Sequence, residues 1–508
     1  MPPVEQPEAA PARPAPSPWD LAILSLAIAA GVFLRIFFLT GPVGSDDTRY
    51  LAFAERFVTF TPFTQLDHAA GRLLFLVLIG LPAKLGGHAI YAAFANVAYS
   101  LAASLLVAVF CWRTLGSRPA IVAAAAMAFN ALDVVYSGTI LPDTTIALFL
   151  VAAVIAFWWA QQEGDSRPRL RKVALSGALT CLAYMCKDPG ILFLPVGAAL
   201  LFVAPKERTW RERLLMPTVF VAAFAVVFAL DATVYRLFTG HFTYKMLATA
   251  ACHNEGREAL TLGALLSQGW GNLWVALSKW ALGGVLLPLA IGVPALIAAG
   301  ALKRGWLAFS AAGLFFVAFI FFGTSSLSKL LLLPFQPRYL QPVIPLVAIC
   351  LAVVASRFEA RFGARRAWIL PAALATLLLA NDFRLMRDWS GTLYFSPAMK
   401  SLRTVVELLG KEQRPIHVDS YLLMHSRHFM RPESYAQLRP IPAEGPLPDG
   451  LYVVGFADLS GLSQERLDAI SAMPVKLRLH QDWRPLNQHR QLRLRDEEGL
   501  VVRQKESP

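Results

Sequence analysis

Residues 1-18 are rich in Pro and Ala and lack periodicity, which predicts a disordered tail. Beyond them, long apolar stretches recur near 20-40, 88-112, 119-136, 143-161, 173-187, 190-204, 214-238, 271-300, 306-323, 338-356 and 367-381. Read as helices crossing about 30 Å of hydrocarbon, they predict about eleven spans. The stretches 173-187 and 190-204 are short and read as a helical pair bent at Pro189-Gly190. The apolar run 73-85, interrupted by Gly80 and Pro82, suits a helix lying in the membrane interface. After about residue 382 polar and apolar positions alternate. Strand-like runs at 415-418 and 451-454 stand beside helix-like stretches at 398-410 and 463-472, which predicts a small soluble α/β domain over 382-508. The expected fold class is an α-helical polytopic membrane protein with this small C-terminal α/β domain.

Composition agrees: 56% of residues are hydrophobic and 16% charged, which excludes an ordinary cytosolic enzyme, a secreted disulfide scaffold and a disordered chain. The formal charge of +13 would raise the question of nucleic acid in a soluble protein. Here its distribution gives another reading. Alternate loops, marked by Arg113, Arg118, Arg167 to Lys172, Lys206 to Arg213, Lys303, Arg304 and Arg357 to Arg366, carry a net +11, while the opposite set from Asp46 to Arg338 is neutral. The positive loops are expected inside. The N-terminus is then inside and everything after about 382 outside, so the basic balance reports topology and no nucleic-acid partner is expected. Cys111, Cys181, Cys186 and Cys350 lie in apolar runs and Cys252 in a polar loop, so neither a disulfide nor a cysteine metal cluster is expected.

Candidate chemistry gathers at the ends of the spans on the neutral side. The first outer loop carries Asp46 and Asp47, two adjacent carboxylates that need a cation or a substrate proton near hydrocarbon, followed by Arg49 and Tyr50. Capping of the helical run that follows is the competing role. Farther along come His68 and Arg72, for which snorkelling to headgroups is the alternative. Asp143 opens the span after the second outer loop, where the helix dipole favours a carboxylate whatever its function. Convergence of Asp46, Asp47 and Asp143 suggests a general base or a divalent metal, Mg or Mn, held by Asp47 and Asp143. Lys187, Arg338 and Tyr339 suit a lipid phosphate or plain interfacial anchoring. The loop 239-268, with His241 and Lys245, is polar enough to close over a substrate.

Ser45-Asp46-Asp47-Thr48-Arg49-Tyr50 resembles the Asp-Glu-x-Arg-Tyr start of the first outer loop in lipid-linked-sugar glycosyltransferases of the GT-C class, the group of the lipid A aminoarabinose transferases and protein O-mannosyltransferases. Leu141-Pro142-Asp143 is similar to their second-loop acid, Lys187-Asp188-Pro189 to a Lys-Gly-Pro turn, and Arg338-Tyr339-Leu340-Gln341-Pro342 to an Arg-Tyr-Leu-x-Pro span start. Asp67-His68 and Arg72 resemble the segment ahead of the interfacial helix, with Ala69-Ala70 in place of prolines. The resemblance implies a GT-C-like catalytic region over 19-381, with outer loops 41-87, 130-143 and 239-268, in a bacterial inner membrane. It further implies transfer of a sugar from a polyprenyl-phosphate donor to a lipid or glycan acceptor on the periplasmic face. In that reading Asp46 is the base, with Asp47 and Asp143 beside it, and Lys187, Arg338, Tyr339 and Arg72 hold the donor phosphate. Arg49, Tyr50, His68, His241 and Lys245 then face substrate. Alternatives are a protein acceptor, a diphosphate-linked donor as in a ligase or polymerase, and a transporter or flippase of lipid-linked sugar. A transporter would want charges at mid-membrane, where Lys279 is the clearest case.

Overall fold

A computed structural model describes residues 17–43, 46–203, 209–254, 258–280, 285–302, 304–324, 326, 329–333, 335–363, 366, 368–392, 396–410, 414–427, 430, 432–455, 462–480 and 499–505. The first part is helical: α1 Pro18–Phe37, α2 Asp46–Val58, α3 Leu73–Gly86, α4 Ile90–Leu115, α5 Ser117–Ala128, α6 Ala131–Ser137, α7 Asp143–Gln162, α8 Ser166–Cys186, α9 Phe193–Phe202, α10 Trp210–Thr239, α11 Tyr244–Asn254, α12 Leu262–Trp280, α13 Gly292–Leu302, α14 Leu307–Phe322, α15 Ile344–Phe362 and α16 Ile369–Thr392. Among the described residues six helices are long and apolar enough to cross a membrane, or seven if α5 and α6, bent by 56°, form one broken span. That is fewer than the pattern predicts. Several apolar stretches fold as shorter helices, and the one at 271-300 is split between α12 and α13, joined by a π-helical segment Leu286–Ile291 that contains Pro288. The break in 119-136 falls at Asn130, whose side chain accepts from the Asp133 backbone N–H and so caps α6.

The bundle buries one continuous apolar core, yet Leu26, Phe33, Leu237 and Trp274 remain 61–75% exposed on its girdle. Such a surface is stable against lipid and costly against water. Where α8 and α10 meet, a Cβ on Gly177 would lie 2.1 Å from the Phe220 carbonyl oxygen. Close approach of these two helices thus rests on a missing side chain.

The predicted C-terminal α/β fold is present as a five-stranded mixed sheet, β1 Ile416–Val418, β2 Leu438–Pro440, β3 Gly450–Val453, β4 Val475–His480 and β5 Gly499–Lys505, in the order β2-β1-β3-β5-β4. β1 runs parallel to β2 and β3, and β5 antiparallel to β3 and β4. Helix α17 Ser396–Leu409 lays Leu402, Val405 and Val406 on this sheet, and α18 Ser420–Ser426, α19 Pro432–Tyr435 and α20 Gln464–Ser471 complete the described helices. The helix before it, α16, runs on past residue 382 to Thr392.

Candidate active site

Two loops set the site by meeting at their backbones. The Gly41 N–H donates to the Gly138 carbonyl at 2.8 Å, and Gly41 has φ +75°, a conformation that favours glycine. A Cβ on Gly138 would stand 3.1 Å from the Thr40 nitrogen. Asn96 of α4 holds the second loop from behind, its Nδ2 donating to the Thr139 and Leu141 carbonyls at 2.7 and 2.9 Å. The start of α2, with Asp46 and Asp47, is thereby set beside the start of α7, with Asp143.

The adjacent carboxylates divide their work. Asp47 is fully buried and its Oδ2 accepts from the Val43 N–H at 2.6 Å. The Asp46 side chain keeps 32% of its surface and meets the Arg338 Nη2 at 3.4 Å. Burial alone would raise the Asp46 carboxyl, but the charges of Arg338, Arg72, His68 and Arg49 outweigh it and hold the group below the ordinary carboxylate range. The second carboxylate, Asp143, is buried and its Oδ1 accepts from the Lys187 Nζ at 2.7 Å. Tyr339 links the two pairs: the Lys187 ammonium lies 4.2 Å from its ring centroid and the Arg338 Cζ 5.5 Å. Burial pushes the Lys187 amine down to about 8, with Asp143 opposing the shift and Arg338 and Arg72 adding to it.

Arg72 precedes α3 and lies 4.8 Å over the buried Tyr50 ring. Burial lowers its guanidinium from the usual arginine value, against the pull of Asp46, Asp188 and Asp143. His68 is likewise lowered first by burial, with Asp46 opposing. The segment bearing both is clamped by two tyrosines, Tyr235 donating to the Ala70 carbonyl at 3.0 Å and Tyr244 to the Gln65 carbonyl at 2.7 Å. Stiffness that prolines would supply at Ala69-Ala70 comes here from side chains distant in sequence. Arg49 leans outward to Asp67 at 2.6 Å with its side chain 43% exposed. Lys245 is buried between the Tyr184 ring at 3.5 Å and Asp188 at 3.5 Å, and His241 is exposed beyond the end of α10. Of the predicted site residues, Asp46, Asp143, Lys187, Arg338 and Tyr339 thus form one connected group. Arg72 and His68 act on it by charge, and the contacts of Lys245 and His241 lie outside it.

Of the two acids expected to share a divalent ion, Asp47 gives its Oδ2 to the Val43 N–H and Asp143 its Oδ1 to Lys187, while the Asp143 Oδ2 is buried without a hydrogen-bond partner. Among the described residues no three His, Cys, Asp or Glu side chains gather as a metal site.

The support behind these residues leaves no pattern in the sequence. Arg35 of α1, fully buried, pairs with Asp133 of α6 and donates to the Ser100 Oγ at 2.8 Å and the Met127 carbonyl at 2.9 Å. Gln341 donates to the Asp133 Oδ1 at 3.0 Å and the Thr144 Oγ1 at 2.9 Å. The turn that bears Arg338 and the helix start that bears Asp143 are therefore cross-linked through one buried network.

The family model described as dolichyl-phosphate-mannose-protein mannosyltransferase matches residues 86–244, less than a third of the chain. No curated protein sequence matches. Among solved structures, ArnT from Cupriavidus metallidurans in the apo state has a TM-score of 0.58 at 16% identity, over 95% of this chain and 97% of that one. The same protein bound to undecaprenyl phosphate gives 0.59 at 14%, over 95% and 98%. The archaeal oligosaccharyltransferase AglB from Archaeoglobus fulgidus, in complex with an inhibitory peptide and a dolichol-phosphate, gives 0.51 at 14%, over 83% of this chain and 64% of that one. In fold along nearly its whole length, and in sequence over residues 86–244, the chain resembles the membrane glycosyltransferases of the GT-C class, as its motifs led one to expect.

Proposed function

We propose that this protein transfers a sugar from a polyprenyl-phosphate donor to a lipid or glycan acceptor, at the end of the bundle where Asp46 and Asp143 lie. The observation that carries the reading is the pairing of two carboxylates with two cations around one tyrosine ring. The acceptor hydroxyl attacks the anomeric carbon and gives its proton to Asp46, while the bond from that carbon to the phosphate oxygen breaks. Charge developing on the leaving phosphate falls to Arg338 and Lys187, with Arg72 adding field. Arg338 serves twice. Bound to a donor phosphate, it is drawn from Asp46, which then becomes more basic at the moment a base is needed. Tyr50 is the pedestal of Arg72, and Asp47 the structural neighbour of the base.

The charge asymmetry between loops and the likeness to ArnT support a multi-pass protein of the bacterial inner membrane. In this reading the site and the domain over 382-508 are on the periplasmic side, with 19-381 the catalytic region. Release of undecaprenyl phosphate from an undecaprenyl-phosphate-linked sugar, by purified full-length protein with envelope lipid as acceptor, tests the reaction. Absence of release, with movement of the lipid across vesicles instead, would favour a flippase.

Lys187 gives the reading a pH signature. It is protonated below about 8 and neutral above, whereas a phosphate monoester completes its second ionisation near pH 6 (about 6). Affinity for undecaprenyl phosphate is therefore expected to fall as pH rises through about 8. Lys187→Arg should carry binding to higher pH, and titration by tryptophan quenching reads both. A flat profile in the unsubstituted protein would remove Lys187 from the phosphate site.

A further inference from the structure

The C-terminal domain reaches into the catalytic end of the bundle through α18. This short helix is tied to the sheet by Asp419, directly after β1, whose Oδ1 accepts from the Leu422 N–H and whose Oδ2 accepts from the Gly455 N–H, both at 2.8 Å. At its far end His425, 2% exposed, makes a 2.5 Å hydrogen bond through Nδ1 to the Oγ1 of Thr48, 3% exposed, in the first turn of α2. One turn back, the Tyr421 ring packs on His425 with centroids 4.3 Å apart. Burial, and after it the negative charges of Asp46 and Asp47, push the Tyr421 phenol up, so this face of α18 lies within the field of the carboxylates. Arg427 also meets Glu55 of α2 at 3.2 Å, but with side chains 57% and 54% exposed. Such a surface pair fixes little, so registration of α2 falls to the buried contact.

We propose that His425 is a positioning residue supplied by the C-terminal domain: by holding Thr48 it sets the rotation of α2, and with it the direction in which Asp46 faces the acceptor. The inference rests on Asp46 being the base. It makes the soluble domain part of the frame of the active site, through a chain from the sheet by way of Asp419, His425 and Thr48 to a carboxylate two residues away.

The test uses full-length protein in nanodiscs and three variants: His425→Ala, His425→Asn, whose amide can occupy the Nδ1 position, and Thr48→Val. With an undecaprenyl-phosphate-linked sugar as donor, His425→Ala is expected to lower kcat by up to about a hundredfold, the cost of misplacing a reacting group by an ångström. KM for the donor and affinity for undecaprenyl phosphate should be unchanged, because Arg338 and Lys187 are untouched. Hydrogen–deuterium exchange over residues 46–58 should quicken in His425→Ala and Thr48→Val and return toward that of the unsubstituted protein in His425→Asn. A kcat loss that moves with exchange and is restored by Asn supports the inference. Exchange over 46–58 that is unchanged in His425→Ala and Thr48→Val overturns it. So does a kcat loss that Asn does not restore. If the unsubstituted protein fails to consume the sugar donor, the proposed reaction fails by itself, and the exchange measurement still decides whether His425 sets α2.

Discussion

Substituting Asp46 by Asn is expected to lower sugar transfer by about 10²- to 10⁴-fold, the usual worth of a positioned general base, without loss of undecaprenyl phosphate binding. The two carboxylates at the start of α2 make the expectation specific. Asn keeps the volume of Asp46 and removes only the charge and the basic oxygen. It also leaves Arg338, formerly 3.4 Å from that carboxylate, with one less anion to serve, so affinity for a phosphate should hold or rise. Asp47→Asn is the internal control. Asp47 accepts the Val43 N–H, and its loss should show first in thermal unfolding and only then in turnover. Full transfer by Asp46→Asn in a single-turnover assay would remove Asp46 from the reaction.

Asp133→Ala is expected to destabilise the protein by about 3–5 kcal/mol, because it leaves a buried guanidinium without its counter-charge. Arg35 is fully buried, and its remaining partners, among them Ser100 and the Gly31 and Met127 carbonyls, are neutral. The exposed helical pair Arg403 with Glu407 is the contrast, at about 0.3–0.5 kcal/mol for such a pair. A double change, Arg35→Met with Asp133→Leu, should recover most of the loss by replacing an ion pair with apolar volume. It should not restore the positioning of Gln341, which donates to Asp133 and Thr144 together. Thermal unfolding in detergent, read beside turnover, separates the two effects. A midpoint unmoved in Asp133→Ala would show that the pair carries no stability.

These two residues also mark how far the sequence could be read. Apolar length reports that a segment prefers lipid, and it located α1, α4, α7, α10 and α15 with useful precision. It does not report where a helix breaks: the bend at Asn130 goes with a side chain that caps α6, and the π-helical segment Leu286–Ile291 contains Pro288, signals that apolar length ignores. In the C-terminal domain the period-two runs coincide with β1 and β3, and the helical stretches with α17 and α20. At the site, ionisable residues at span ends stand out because their placement near hydrocarbon is costly. Asp46, Asp143, Lys187 and Arg338 stand out in the sequence for that reason, and the structure brings their side chains together. Arg35 and Asp133 do not, because a buried ion pair spanning 98 positions leaves no local pattern. His425 was illegible for a related reason: the docking of one domain on another is decided by the fold of both.

The contact between Gly41 and Gly138 is made by main-chain atoms. A junction of that kind is indifferent to most of the side chains around it, provided the two small residues persist. The spacing of Asp46 and Asp143 is then set in part by the main chain itself, with Asn96 and the buried network behind it holding the loop in place.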